Sequence, residues 1–208
     1  MIDQLKKLLE ILNYWRTFPV YLCVLRSPHK GLVSADIDRW NTQCHRNTGL
    51  FLSLNHYLTD CKAFRNLLQH RLKNPTRSAK CWVHFAVARI LWRPLDSLYL
   101  NTIDIGGGLY IQHGFSTIVS AESIGENCWI NQQVTIGFKE TDRPVLEDHV
   151  TVTCGAKVLG NVTMHRNSTA AAGAVVVHDV PENAVVGGVP AKIIKYRDTD
   201  KAVSAAED

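Results

Sequence analysis

Ten residues recur at intervals of six in the C-terminal half of this chain. Ile118, Ile124, Ile130 and Ile136 form one run, and after a break Leu146, Val152, Val158, Met164, Ala170 and Val176 form a second. Four residues after most of these stand small or β-branched side chains: Val134, Val150, Ala156, Val162, Ser168 and Ala174. A helix repeats about every 3.6 residues and a strand every 2, so neither generates this spacing. A parallel β-helix of hexapeptide repeats does, each hexad supplying a short strand and a tight corner and three hexads closing one coil. The aliphatic residue then points into the coil and stacks on its equivalent three hexads away. Burying each such side chain stabilises by roughly 1.5–3 kcal/mol.

The repeat departs from regularity twice. Residues 111–118 take seven steps where six are expected, which predicts a bulge around His113. Residues 137–145 (Gly-Phe-Lys-Glu-Thr-Asp-Arg-Pro-Val) break the phase and are expected to loop out of one corner. Regular coils make a rigid scaffold, and function concentrates in the loops it carries.

The first hundred residues carry helical periodicity instead. Leu5, Leu8, Leu9, Leu12 and Trp15 predict an amphipathic helix over 2–15. Ser34 followed by Ala35-Asp36-Ile37-Asp38 reads as a helix start, with carboxylates in the first turn where the dipole favours them. Cys61, Phe64, Leu67, Leu68, Arg71 and Leu72 mark a helix from Asp60 to about Asn74-Pro75, and another spans roughly 77–92, ahead of Pro94. The expected organisation is α+β: a helical domain over 1–100, a β-helix over 101–183 with a loop at 137–145, and a tail over 184–208.

Composition narrows the class. A chain of 208 residues with 46% hydrophobic content is neither a disordered tail nor a disulfide-framework miniprotein. No stretch reaches the ~18 uninterrupted apolar residues of a membrane-spanning helix. Asp3, Lys6, Lys7, Glu10 and Arg16 leave no secretory signal visible, and six cysteines without a Cys-x-x-Cys pair read as reduced thiols. The expected location is cytoplasmic. Charge is split: residues 1–100 hold 15 Lys/Arg against 6 Asp/Glu, and residues 101–208 hold 8 against 13. No nucleic-acid-reading motif accompanies the basic half. Its aromatic and basic residues (Tyr14, Trp15, Arg16, Trp82, Trp92, Arg93) suit packing against the β-helix or, as a second reading, contact with a membrane or another subunit.

The repeat region resembles the hexapeptide-repeat acyltransferases, and within them the serine acetyltransferase group. The resemblance is carried by Ile103-Asp104-Ile105, Gly108-Leu109-Tyr110-Ile111-Gln112-His113-Gly114, Ile130-Asn131-Gln132-Gln133-Val134-Thr135-Ile136-Gly137, Gly155-Ala156-Lys157-Val158-Leu159-Gly160-Asn161, Val180-Pro181-Glu182-Asn183 and Gly188-Val189-Pro190-Ala191-Lys192-Ile193-Ile194. Phe64-Arg65-Asn66-Leu67-Leu68-Gln69-His70-Arg71 is similar to the helix that precedes the β-helix in such enzymes. The resemblance implies a left-handed β-helix, a homotrimer, acetyl-CoA as donor, and acyl transfer to a hydroxyl; a site between neighbouring subunits and no metal are the expectations set beside it.

His113 is the candidate base. A hydroxyl is a poor nucleophile at neutral pH, and an imidazole can take its proton and return it to the CoA thiolate without a covalent acyl-enzyme. Asp104 matches the Asp of the family's Asp-Ile motif and is the candidate orienter, although only nine residues separate it from His113, about a hexad fewer than in the family. Glu122 is the second candidate carboxylate. On the acceptor side Gln112 is neutral where the family carries Asp before its His, and Arg143 is followed by Pro144 where the family has His. Arg143 suits a substrate carboxylate or stands as a solvated cation. Without the ammonium partner, a sugar hydroxyl of a surface polysaccharide or its precursor is the expected acceptor, with L-serine the alternative.

For the CoA arm the small residues Gly155, Ala156, Ala171, Ala172 and Gly173 are candidates, with Lys192, Lys195 and Arg197 for the nucleotide phosphates. Two other readings compete. A zinc enzyme would use His149, His165 and His178, which do not share one position in the hexad, and a non-catalytic trimerising module would use none of these residues.

Overall fold

The computed structural model describes residues 2–73 and 79–197, with side-chain surroundings from Leu12 to Lys73 and from Trp82 to Arg197. The side chains of Leu5, Leu8 and Leu9, the Asn74-Pro75 stop and the tail beyond Arg197 lie outside them. Two compact units follow one another, Met1–Asp96 and Ser97–Asp208.

The first unit contains helices α1 (Ile2–Arg26), α2 (Lys30–Gln43), α3 (Leu50–Asp60), α4 (Lys62–Lys73) and α5 (Ala79–Leu91). α1 runs on through Pro19, where a backbone donor is missing. Packing on α3 holds both halves: the Tyr14 ring lies tilted and the Tyr21 ring edge-on against Phe51, and the Thr17 hydroxyl donates to Asn55 Oδ1 at 2.8 Å. The buried stripe of α1 is Thr17, Val20, Cys23 and Val24. Leu12 and Trp15, expected on the core side, face outward, with Trp15 74% exposed.

α2 starts at Lys30, four residues before Ser34, and His29 at its N-cap makes no side-chain cap. Asp36 does not serve the helix dipole. It is buried and accepts two hydrogen bonds from Arg71 of α4, at 2.9 and 3.1 Å. In the same unit Trp40, Tyr57 and Phe64 pack ring against ring, and Asn41 receives the Tyr57 hydroxyl while donating to Ser53. Burial pushes the Tyr57 phenol above its ordinary pKa. α3 has no counterpart among the helices expected from sequence.

The second unit is a parallel β-helix whose strands wind in threes. β1 (Leu98–Leu100), β4 (Thr117–Val119), β7 (Thr135–Gly137), β10 (Lys157–Leu159) and β13 (Val175–Val176) form one face. β2 (Asp104–Ile105), β5 (Ser123–Ile124), β8 (Val145–Leu146) and β11 (Thr163–Met164) form the second. β3 (Tyr110–Ile111), β6 (Trp129–Ile130), β9 (Thr151–Val152), β12 (Thr169–Ala170), β14 (Ala184–Gly187) and β15 (Lys192–Tyr196) form the third, with β15 turning back antiparallel on β14.

Inside the coil the expected plugs stack in register: Ile130 on Val152, Ile136 on Val158, Leu146 on Met164, Val152 on Ala170. Val134, Val150, Ala156, Val162, Ser168 and Ala174 are buried with them. One plug is different. Ile118 is 43% exposed and pairs with Thr135, while Val119 is fully buried and pairs with Ile136. The segment after Ile111 takes one residue more than its run of isoleucines indicated, which turns Ile118 outward and shortens the next step to Ile124.

Candidate active site

Many corners of the coil place a left-handed residue second in the turn, as at Ser116, Asn127, Gln133, His149, Asn167 and Asn183. His113 adopts the same backbone region, with φ 63°, outside any such corner, and Gly114 follows it at φ 70°. The Gly114 N–H donates to the Gln112 carbonyl at 2.8 Å, closing a tight turn that lifts the His113 side chain into solvent. A left-handed non-glycine residue costs on the order of 1–3 kcal/mol and persists where its surroundings hold it. Here the neighbouring coil does so: Gln112 N–H donates to Ile130 O at 2.9 Å, and Gln133 N–H donates to Phe115 O at 2.9 Å.

Gln112 is fixed as well. Its Oε1 accepts from Asn131 Nδ2 at 2.9 Å, which ties the side chain to the next coil. Asn131 sits inside one of the family motifs, but nothing in its spacing singled it out.

Along the first face, β4 separates the His113 turn from the base of the 137–145 loop by about 10 Å, three residues of extended chain. At that base Glu122, exposed, donates its N–H to Pro144 O at 2.8 Å. In the loop Lys139 and Asp142 pair backbone to backbone, and the exposed Arg143 guanidinium lies 5.9 Å from the Phe138 ring centre. Glu122 and Arg143 therefore share one corner.

Asp104 lies on a different face from His113. It lines a groove of about 410 Å³ on the second face with Ser123, Glu147, Asp148 and Arg166. Its carboxylate neighbours tie coils together: Glu147 accepts from the Arg166 N–H at 2.8 Å and lies 3.0 Å from His165 Nδ1, and Asp148 accepts from the Glu126 N–H at 2.8 Å. His149 occupies a corner and His178 is exposed. Among the described residues no group of three or more His, Cys, Asp or Glu side chains is placed to hold a metal ion.

The small residues divide. Gly155 and Gly173 stack at one corner, at φ 71° and 69°, where a Cβ on Gly173 would meet nothing within 4 Å, and Ala172 is exposed beside them. Ala156 does not join them. Its side chain is inside the coil, its N–H donates to Thr153 O and its carbonyl accepts from Thr135, so it presents nothing to a ligand. Lys157 Nζ donates to Gln133 O at 2.9 Å at the same edge, a cation the reading of small residues passed over. The Ala191 N–H donates to Val175 O at 2.8 Å, which brings exposed Lys192 toward the end of this edge, and Lys195 stands further along β15 opposite Val185. Arg197 is tied into the coil. Half-buried, it donates to Asn167 Oδ1 at 2.9 Å and Thr169 Oγ1 at 2.5 Å, and burial lowers its pKa.

No protein-family model matches the chain. It is 37% identical over 95 residues to a serine acetyltransferase of Bacillus licheniformis, covering 43% of this chain and 44% of that protein. Against a serine acetyltransferase of Synechococcus elongatus it is 40% identical over 98 residues, covering 45% and 40%. The matches thus span less than half the length of these relatives. Among solved structures, serine acetyltransferase from Brucella abortus superposes with a TM-score of 0.60 at 26% identity, over 80% of this chain and 69% of that one. Neisseria gonorrhoeae serine acetyltransferase in complex with serine gives 0.61 at 24% identity, over 89% and 83%, a likeness of fold. The coil is that of the left-handed β-helices of this group.

Proposed function

We propose that this chain, a hexapeptide-repeat β-helix protein similar to the serine acetyltransferases, transfers an acetyl group from acetyl-CoA to a hydroxyl, with His113 as general base. The observation that carries the reading is the extra left-handed turn that sets an exposed imidazole beside an ordered Gln112. The imidazole takes the hydroxyl proton as that oxygen attacks the thioester carbonyl. The C–O bond forms, the C–S bond breaks, and the proton passes to the departing thiolate. Such a base contributes about 10²–10⁴-fold. The Gly155–Gly173 edge, bare of side chains and flanked by Lys157 and Lys192, suits the CoA arm and its phosphates. A neighbouring subunit of a trimer completes the site, and Glu122 and Arg143 at the loop corner are its further polar groups.

The names of the relatives make L-serine the first acceptor. The Gln112–Asn131 pair supports a second reading, a sugar hydroxyl, because a neutral amide offers no charge to an ammonium. Thiol release from acetyl-CoA, followed with L-serine and with nucleotide sugars, separates the two. If serine is the acceptor, Gln112→Asp leaves or raises turnover with serine. If a sugar is the acceptor, wild type releases thiol with the sugar and Gln112→Asp loses that release. No release with any hydroxyl acceptor would reject the proposed activity.

A further inference from the structure

We propose that the outward faces of α1 and α5 seat the protein on an anionic lipid surface. The two helices pack against each other, and the Arg16 guanidinium crosses from α1 to the Leu91 carbonyl and the Trp92 ring at the end of α5. On α1, Leu12, Trp15 and Phe18 fall three apart and are exposed, with Trp15 at 74%. On α5, Trp82, Val83 and Ile90 are exposed at 54%, 60% and 82%. Large side chains left in water at this level mark an interaction site rather than a core.

Charge identifies the occupant. Leu12–Arg26 and Ala79–Leu91 contain no Asp or Glu, while Arg16, Arg26 and Arg89 are exposed on them. Exposed Arg93, just beyond α5, is paired with Asp96 at 2.8 Å. A second copy would bring the same cations, and over these two stretches it has no carboxylate to answer them; the Asp3 and Glu10 of α1 precede the exposed stripe in sequence. An anionic headgroup layer answers them, and tryptophan with leucine and isoleucine beside arginine is the composition that lies in a membrane interface. No helix among the described residues is long and apolar enough to cross a membrane, so the contact lies along the surface.

The test is sedimentation of the full chain with vesicles of phosphatidylcholine and phosphatidylglycerol, against phosphatidylcholine alone. The chain should pellet with the anionic vesicles and be released by salt. Trp82→Ser with Ile90→Ser should weaken partitioning by at least about tenfold, and Arg89→Gln by roughly fivefold. Both apolar positions are exposed, and an unchanged melting temperature verifies the fold. Should the double variant not fold, wild-type partitioning and its salt dependence decide alone. Absence of binding to anionic vesicles would overturn the proposal. So would a lipid-free protein whose sedimenting mass falls on Trp82→Ser with Ile90→Ser, since that would assign the face to a second copy.

Discussion

The two units bury their interiors by different means. In the β-helix one aliphatic residue per strand fills the coil, and each plug meets its equivalent from the coils on either side. The helical unit buries a charge pair, Asp36 with Arg71, and packs Trp40, Tyr57 and Phe64 ring against ring. Its apolar residues also lie outside, on α1 and α5. A repeat fixes its core by one rule applied many times, whereas a helix cluster fixes its core by particular partners that no period announces.

Breaking the buried pair should have the larger effect on stability. Arg71→Ala leaves Asp36 buried without its cation and should destabilise the helical unit by about 3–5 kcal/mol in urea unfolding. Replacing both by apolar residues, Asp36→Leu with Arg71→Met, should recover most of that loss, because the desolvation cost goes with the charges. The β-helix offers a sharper contrast within one sequence pattern. Ile130→Ala should cost about 2–5 kcal/mol, since its side chain is enclosed. Ile118→Ala, at the same phase of the hexad, should stay within about 0.5 kcal/mol. Equal costs at the two sites would contradict the shifted register.

That pair of isoleucines also marks how far the sequence could be followed. From Ile124 to Val176 the six-residue step located the plugs correctly, because a single slot per strand admits only an inward aliphatic side chain. Ile118 kept the spacing by coincidence, and only the pairing of Val119 with Ile136 reveals the additional residue before it. The bulge around His113 was nonetheless legible, because any departure from six is visible against so regular a background. The Gln112–Asn131 contact was not, since it joins residues nineteen apart on adjacent coils through side chains. Ala156 shows the opposite error: a small residue in a motif looks like room for a ligand and is instead a plug. In the helical unit Leu12 and Trp15 formed a stripe that satisfied helical periodicity, but the side chosen for burial was set by Phe51 and Asn55 of α3.

The smallest expected effect separates the units by pH. Burial, aided by Arg46, lowers the pKa of His56 below 6.5, against the opposing pull of Asp60. The unfolded chain therefore takes up this proton first. The helical unit keeps the associated stability above about pH 6.5 and loses it as pH falls toward the folded-state value. Unfolding midpoints of wild type and His56→Gln should diverge only across that window.

Turnover of acetyl-CoA measured for wild type and His113→Ala, under the same conditions and with the acceptor that gives the highest thiol release, bears most directly on the role of the lifted turn. A fall of about 10²–10⁴-fold with an unchanged melting temperature is the predicted result. Undiminished thiol release by His113→Ala would contradict it.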